Sequence, residues 1–450
     1  MNTTDFYKKF TEFEVKNSLF DMTGVDGILI WDIVRYDIFM QLSNANVRKS
    51  NINVSNEHRS LKYLLLLIRL LCLDLLQLFK RRNIDYIFYI YPRKMNARGF
   101  IIDEISEGVI SLVSECSFII DKRMTNRTGR QAYNNVALKF LRRLYLLSKS
   151  SKSSYSNIAL LIKNEFKSDC DFSARINFLV RTYQADYFYY RCLFRRLKPR
   201  AIFFINCTDE KGLCAAANSL NINTIELQHG QANKYHPAYS YPQEVDYSNL
   251  VTFPHAFFTF SDYWKDVNYP VKLKLTIGDS RFLGYKRTDN NNVCVILAKP
   301  YEDDLLPLVK ELAIQNSFRR ILVRLHPEQY DQFYQLKEYF ADFDNVNVVS
   351  KDESIYKTFE KINSVVLIQS TVLYEALNVG LKVFIYQKQD YTSHHDIFTS
   401  KNVYLVNSSM EISNNLQNNF IVEDGYTFFS TFNINAVNDF LQTLPNKVVN

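Results

Sequence analysis

Ala201-Ile202-Phe203-Phe204-Ile205-Asn206, then Gly212 to Leu220 around Ala215-Ala216-Ala217, then Asn223-Thr224-Ile225-Glu226-Leu227 form the stretch on which the fold turns. The two short apolar runs read as strands buried on both faces, and the Ala-rich segment between them reads as a helix. A β-α-β unit requires parallel strands. The unit ends in Gln228-His229-Gly230, so a polar turn stands where a strand stops.

The same alternation continues toward the C-terminus. Phe257 to Phe260 and Lys274 to Ile277 predict two more short strands. After the polar break Thr288-Asp289-Asn290-Asn291-Asn292, strands are expected at Val293–Leu297, Arg320–Arg324, Val346–Val349, Ser364–Ile368 and Lys382–Ile385. Helices are expected over 303–316, 329–341 and 372–379. Strands alternating with helices make a doubly wound parallel sheet. A last helix, Ile434–Leu441, is placed to cross back to the first domain. Upstream, Asp85–Tyr91 and Ser117–Asp121 read as strands, Gly27–Phe39 and much of 130–200 as helix, and Ser148–Ser156 as a loop. The basic clusters at Arg142-Arg143 and from Arg195-Arg196 to Arg200 read as solvated faces. The expected domains are 1–285, with helical insertions at about 45–82 and 125–200, and 286–450.

Bulk properties agree with this plan. A chain of 450 residues has room for two or three domains. Its hydrophobic content of 47% fills sizeable cores, and 30 Tyr and 34 Phe suit aromatic packing or sugar stacking. A net charge of +7 is modest for this length and argues for no nucleic-acid partner, there being no recognised binding motif among the basic residues. The seven Cys include no C-x-x-C pair and mostly sit in apolar runs, which predicts buried thiols and neither a disulfide frame nor a zinc site. The N-terminus lacks the order of a signal peptide, which makes the cytoplasm the expected compartment. Residues 61–82 are the most hydrophobic stretch, but Arg69 and Asp74 interrupt it and Lys80-Arg81-Arg82 follow. Two interior charges argue against a spanning helix. What remains is a buried helix or one that lies on anionic lipid at the inner membrane.

Three polar phrases at expected strand ends carry the chemistry. His229, followed by a glycine that lets backbone approach a ligand, suits an acid/base or donor role. His326 stands in Arg324-Leu325-His326-Pro327, where Pro327 ends the strand and Arg324 adds charge for a phosphate. Ser370-Thr371 opens a helix, as an N-cap or as a phosphate seat. Glu375 lies one turn on, as a dipole partner or a ligand for ribose hydroxyls. Asp209-Glu210 follows the strand at 201–206 and offers a general base or an N-cap. Gln228, Gly230, Tyr235 and His236, with His255, Tyr239 and Tyr241 further along, can line an acceptor wall, or the loop can be packed surface. His394-His395-Asp396 reads poorly as a metal site, because adjacent side chains diverge. No G-x-G-x-x-G or P-loop phrase is present, and no D-x-D stands at a strand end.

Taken in order, these phrases resemble those of the GT-B glycosyltransferases of bacterial surface-polysaccharide assembly. His326-Pro327 and Ser370-Thr371 look like the HP and S/T motifs of sialyltransferases, polysialyltransferases, Kdo transferases and CDP-glycerol glycerophosphotransferases, and Gln228-His229-Gly230 is similar to the His-Gly turn of capsule and teichoic-acid enzymes. The resemblance covers roughly residues 200–410. It implies an α/β GT-B fold, with two Rossmann-like domains whose parallel sheets face each other across a cleft. It implies that His326 and Ser370 or Thr371 hold a donor phosphate, that Glu375 lies near the ribose, and that Asp209 or Glu210 is the base. Lys211 intervenes between the acids and Gly212, a departure from the polysialyltransferase pattern that leaves His229 as a third candidate base. Expected partners are a nucleotide-activated sugar, CMP-linked by the same analogy, and a glycan or lipid-linked acceptor. No metal or organic cofactor is expected. A CDP-polyol phosphotransferase, a sugar-nucleotide epimerase and a non-catalytic scaffold of a polysaccharide complex are the alternatives.

Overall fold

The structure, a computed structural model, describes residues 2–24, 27–44, 68–76, 84–92, 94–95, 101–122, 132–147, 155–282, 290–368, 370–388, 391–417 and 427–445. Most of the predicted 45–82 insertion and of the 148–156 loop lies outside these residues.

The chain opens with helices α1 (Thr3–Lys16) and α2 (Trp31–Asn44), and residues 68–76 form a third, α3. Strand β1 (Tyr86–Ile90) follows, then a small antiparallel pair, β2 (Lys94–Met95) with β3 (Ile101–Ile102). Next come α4 (Glu104–Leu112), β4 (Ser117–Asp121) and β5 (Ala132–Tyr133). Three helices, α5 (Val136–Leu147), α6 (Ser156–Phe166) and α7 (Phe172–Leu197), lead to β6 (Ala201–Phe204). Helix α8 (Lys211–Asn218) joins it to β7 (Asn223–Leu227), and β8 (Ala256–Thr259) and β9 (Leu273–Thr276) complete the first sheet. Its order is β5-β4-β1-β6-β7-β8-β9, parallel throughout.

The second half repeats the principle. It contains β10 (Val293–Ile296), α9 (Glu302–Gln315), β11 (Ile321–Arg324), α10 (Phe333–Tyr339), β12 (Val346–Val348), α11 (Ile355–Phe359), β13 (Ser364–Leu367), α12 (Val372–Asn378), β14 (Lys382–Tyr386), β15 (Val403–Val406) and α13 (Ser409–Leu416). The sheet runs β12-β11-β10-β13-β14-β15, also all parallel. This is the α/β GT-B arrangement, two Rossmann-like domains facing each other. Helix α14 (Ile434–Thr443) packs on the first sheet: Val437, Phe440 and Leu441 join the cluster of Phe88, Phe203 and Phe258.

The strands form here because their runs are apolar on both faces; β1, β6, β8, β10 and β13 are buried at every residue. Helices α4 and α14 cover one face of the first sheet, with α7 and α8 on the other. The second of these cores continues without a break into the second domain, through Cys294, Val365, Leu367 and Ile385. In each sheet the strand order reverses once, between β1 and β6 and between β10 and β13. Crevices at the carboxyl ends of strands open at such reversals.

Several expectations need correction. The 329–341 helix begins as tight 3-10 turns through Gln332 and becomes α-helical only at Phe333. Cys72, Cys170 and Cys192 are exposed and Cys116 is half-buried, so only Cys207, Cys214 and Cys294 are the buried thiols expected. Arg142 is no solvated charge: it forms a two-pronged pair, both contacts 2.6 Å, with the buried Asp186. Among the described residues, no helix is long and apolar enough to cross a membrane.

Gly278 marks the sharpest constraint on the path between the domains. Its φ is +75°, and a Cβ there would lie 2.2 Å from the Thr431 carbonyl oxygen. Returning chain at 430–433 pairs with this segment, as Asp279 N–H donates to Ser430 O and Asn433 N–H to Ile277 O. Gly278→Ala is therefore expected to cost at least the roughly 1–3 kcal/mol of the backbone strain alone, measured as a lowered urea midpoint at unchanged slope.

Candidate functional site

The carboxyl edge of the first sheet carries one bank. After β6, Asn206 turns with a left-handed φ of 64°, and the short turn Cys207–Asp209 delivers Glu210 to the head of α8. After β4 comes Lys122, whose Nζ lies 2.7 Å from Glu210 Oε1 and 3.1 Å from Asp209 Oδ2. Tyr89 and Tyr91, at the end of β1, place their rings 6.0 and 5.8 Å from that ammonium. The group thus sits where the strand order of the first sheet reverses.

The two acids differ. Asp209 keeps 54% of its side chain exposed, whereas Glu210 is 1% exposed and its Oε2 has no hydrogen-bond partner. Burial lifts the Glu210 carboxyl to about 7, with the nearby Lys122 pulling the other way. Burial would lower Lys122, but Glu210 and Asp209 hold it above the ordinary lysine range.

A run of contacts leads from these acids to His229. Tyr36 feels the charge of Asp209, and its ring stacks on His236 at 6.2 Å. His236 packs on Tyr239 at 5.2 Å, and the Tyr239 hydroxyl is 3.3 Å from His229 Nδ1. Burial, with His229 and Arg35 nearby, lowers His236 to about 4, so the ring is neutral at physiological pH. Its Nδ1 accepts from Ala238 N–H. Tyr235 stands edge-on to Tyr7 at 5.9 Å.

Buried charge holds this wall in place. Asp32 on α2 accepts from Lys211 at 2.7 Å, from the Tyr241 hydroxyl at 2.9 Å and from Thr252. One turn on, Arg35 pairs with Glu14 at 2.6 Å and donates to Pro237 O. Gln228 is used inside the protein: its Oε1 accepts from Phe260 N–H and its Nε2 donates to Gly230 O, which ties the turn to β8.

The opposite bank belongs to the second domain. A Cβ on Gly230 would come 3.9 Å from Thr371 Cγ2, so the 228–230 turn rests against the head of α12. There the Ser370 hydroxyl accepts from Val372 N–H at 3.2 Å, while Thr371 is exposed. Glu375 is buried beside Arg281, 3.3 Å away, and Arg281 also grips Asp279 at 2.5 Å. Burial raises Glu375, with Arg281 opposing. His229, Gly230, Arg281, Thr371, Tyr374 and Glu375 share a cavity of about 30 Å³. That volume holds about two water molecules, far less than a nucleotide.

His326 stands apart from this contact. It is exposed on the edge of the second sheet, and its strand β11 lies two positions from β13, a separation of about 10 Å at ordinary strand spacing. Gln329 shapes its turn by accepting from His326 N–H and donating to Glu302. Pro327 opens the following 3-10 turn. The Arg324 guanidinium donates to Glu353 O and to the Thr358 hydroxyl, each at 3.0 Å. Thus the structure gathers Asp209, Glu210, Tyr235, His236 and His229 on one bank and Ser370, Thr371 and Glu375 on the other. Arg324, His326 and Pro327 line the same strand-end edge farther out. Lys122 and Arg281 were missed by sequence reading. A lysine directly after a buried strand was the available signal for the first, and nothing local marks the second. Among the described residues, no group of three or more His, Cys, Asp and Glu is arranged to hold a metal.

No family model matches the chain, and no curated protein does. Solved structures with a related architecture include a UDP-GlcNAc 2-epimerase from Neisseria meningitidis bound to UDP-GlcNAc, at 12% identity and TM-score 0.44, covering 80% of this chain and 99% of that one. The Methanocaldococcus jannaschii UDP-GlcNAc 2-epimerase, in complex with UDP-GlcNAc and UDP, matches at 8% identity and TM-score 0.45, with the same 80% and 99% coverage. MurG from Acinetobacter baumannii matches at 10% identity and TM-score 0.40, over 74% of this chain and 89% of that one. Likenesses of this degree bear on neither substrate nor activity.

The Glu210 carboxyl has a measurable consequence. Between its ordinary value of 4.5 and about 7, the folded chain keeps a proton that the unfolded chain releases. This group's contribution to stability therefore falls as pH rises through that window. Glu210→Gln should flatten that part of the stability–pH curve, and Lys122→Met should move the Glu210 midpoint higher still, both read by denaturation across pH and by carboxyl-carbon NMR.

Proposed function

We propose that the chain is a metal-independent glycosyltransferase. It moves a sugar from a nucleotide-activated donor, a CMP-sugar before others, to a glycan or lipid-linked glycan in capsule, O-antigen or lipopolysaccharide assembly. The observation that carries the reading is Glu210: a buried carboxyl with an unpartnered oxygen, lifted to about 7, at the strand-order reversal of the first sheet. A general base works best with a pKa near the working pH. Asp209, exposed and held by Lys122, fits that task less well. His229, bonded to Tyr239, faces the second domain and suits the donor side of the reaction.

In this reading Glu210 takes the proton of an acceptor hydroxyl as its oxygen bonds to the anomeric carbon. The bond from that carbon to the donor phosphate breaks, and the phosphate leaves with the electron pair. His229 and the hydroxyls of Ser370 and Thr371 receive that charge, while His326 and Arg324 hold the donor farther out along the same edge. Fixed donors aimed at developing charge are where such sites gain most. Glu375 orients the ribose. The enzyme works in the cytoplasm on the inner membrane face, which the 61–82 segment approaches.

The test begins with thermal shifts in CMP, CDP, UDP and GDP. CMP or CDP should raise the melting temperature, by about 2.7 kcal/mol of added stability at a hundredfold excess over Kd, and His326→Ala should reduce the rise. Glu210→Gln should retain it while lowering turnover of a CMP-sugar by about 10²–10⁴-fold. A rise with UDP alone removes the preference for cytidine. Turnover of CDP-glycerol in place of CMP-sugars makes the chain a polyol phosphotransferase, and isomerisation of donor without acceptor makes it an epimerase. No rise with any nucleotide leaves the scaffold reading standing.

A further inference from the structure

The Tyr239 hydroxyl stands between His229 and a buried carboxylate. It is 3.3 Å from His229 Nδ1 and 3.3 Å from Glu226 Oε1. A phenol has one proton to give and lone pairs to receive, so its two bonds run in different directions. A backbone amide can only donate, and Glu226 Oε1 takes the Cys207 N–H at 3.0 Å. Oε1 is therefore the accepting oxygen, and Tyr239 gives its proton there. The other oxygen, Oε2, accepts from the Tyr269 hydroxyl at 2.6 Å. Burial, with the charge of Glu226, holds the Tyr239 phenol far above its ordinary range, so it keeps its proton. The ring cannot swing away: it is 2% exposed, stacked on Phe257 at 5.2 Å and edge-on to Tyr269 at 5.6 Å.

With its proton directed at Glu226, the Tyr239 oxygen can only accept from His229. Nδ1 must then carry a hydrogen, and in the neutral ring Nε2 carries none. That limits what His229 can do at the cavity it shares with Thr371. A bare Nε2 presents a lone pair, which repels a phosphate oxygen. Nε2 donates to phosphate only when both ring nitrogens are protonated. The same contact favours that state, because a hydrogen bond to the charged form of a group stabilises it. The other charged and titratable groups around the ring are His236 beside it and Arg281, Glu375 and Tyr374 across the cavity. His236 is neutral at physiological pH, and Arg281 is paired with Glu375 and Asp279. Glu226 is thus the charge that Tyr239 relays to His229.

We infer that Tyr239 and Glu226 are positioning residues for His229: they fix its hydrogen on Nδ1, so that His229 meets the departing phosphate as an imidazolium donating from Nε2. As the bond to the anomeric carbon breaks, the phosphate oxygen keeps the electron pair and accepts that hydrogen bond, and the ring retains its proton. The role toward phosphate rests on the proposed function; the tautomer does not.

Ring-nitrogen NMR of the full chain labelled with 15N-histidine reads the tautomer without substrate, with His229→Gln to assign the signals. Neutral His229 should carry its hydrogen on Nδ1. Tyr239→Phe, which keeps the ring and removes both bonds, should return it to the commoner Nε2–H form. Calorimetric titration with CMP across pH reads the role toward phosphate. CMP affinity should fall as pH rises, and in Tyr239→Phe it should fall at a pH lower by about one unit; a tyrosine that only packs would leave that midpoint in place. Hydrogen on Nε2 in the unaltered chain, a tautomer unchanged in Tyr239→Phe, or an unmoved midpoint overturns the inference. The two readings fail separately. A chain that binds neither CMP nor UDP sinks the transferase and the role toward phosphate, while hydrogen on Nδ1 in that chain still upholds the tautomer; the wrong tautomer with CMP binding intact sinks this inference alone.

Discussion

Arg281 is the interaction on which the site depends. It lies just after the last strand of the first sheet, yet its guanidinium holds Asp279 of its own domain and Glu375 of the other, with its face on Phe260. Burying such a cation is costly unless it is paired, and removing one member of a buried pair strands the other charge, typically at 3–5 kcal/mol. Tyr356 stands in the same electrostatic neighbourhood. The banks that carry His229 and Thr371 are thus fixed by charge as well as by packing.

A similar economy governs the first bank. The wall from Tyr235 to Thr252 has little regular structure of its own, and loops of that length need fastening. Asp32 and Arg35, three residues apart on α2, face the same way and reach into it. Glu226, buried on β7, accepts from the hydroxyls of Tyr239 and Tyr269. Tyr239, Tyr241 and the neighbouring Tyr269 therefore have their hydroxyls committed to carboxylates, which lets these rings be buried.

Much of the fold was legible because both faces of each sheet are covered. Full coverage turns a strand into an uninterrupted apolar run, and Ser117–Asp121 and Asn223–Leu227 were read to the residue. Edge elements lacked that signal: β5 has two residues, and β15 is half-open to solvent. Helix α13 carried a local sign that was passed over, a serine at 408 followed by Glu411, whose backbone N–H the serine caps. The site was legible only as positions. Strand ends placed Glu210, His229, His326 and Thr371 at the carboxyl edges of their sheets, but Glu210 takes its character from Lys122, 88 residues away, and from burial. The separation of His326 from the 229–371 contact follows from strand order, which no short phrase encodes.

The return of the chain to its first sheet sets how the lobes can move. Polypeptide crosses between them twice, after β9 and again through 427–433, and the two crossings lie side by side, with Asp279 N–H bonded to Ser430 O and the Trp264 indole to Phe428 O. A lobe tethered by one strand swivels freely; one held by two adjacent strands keeps a single easy rotation, about the line through both. Any change in how the lobes face each other is thereby confined to rotation about that line.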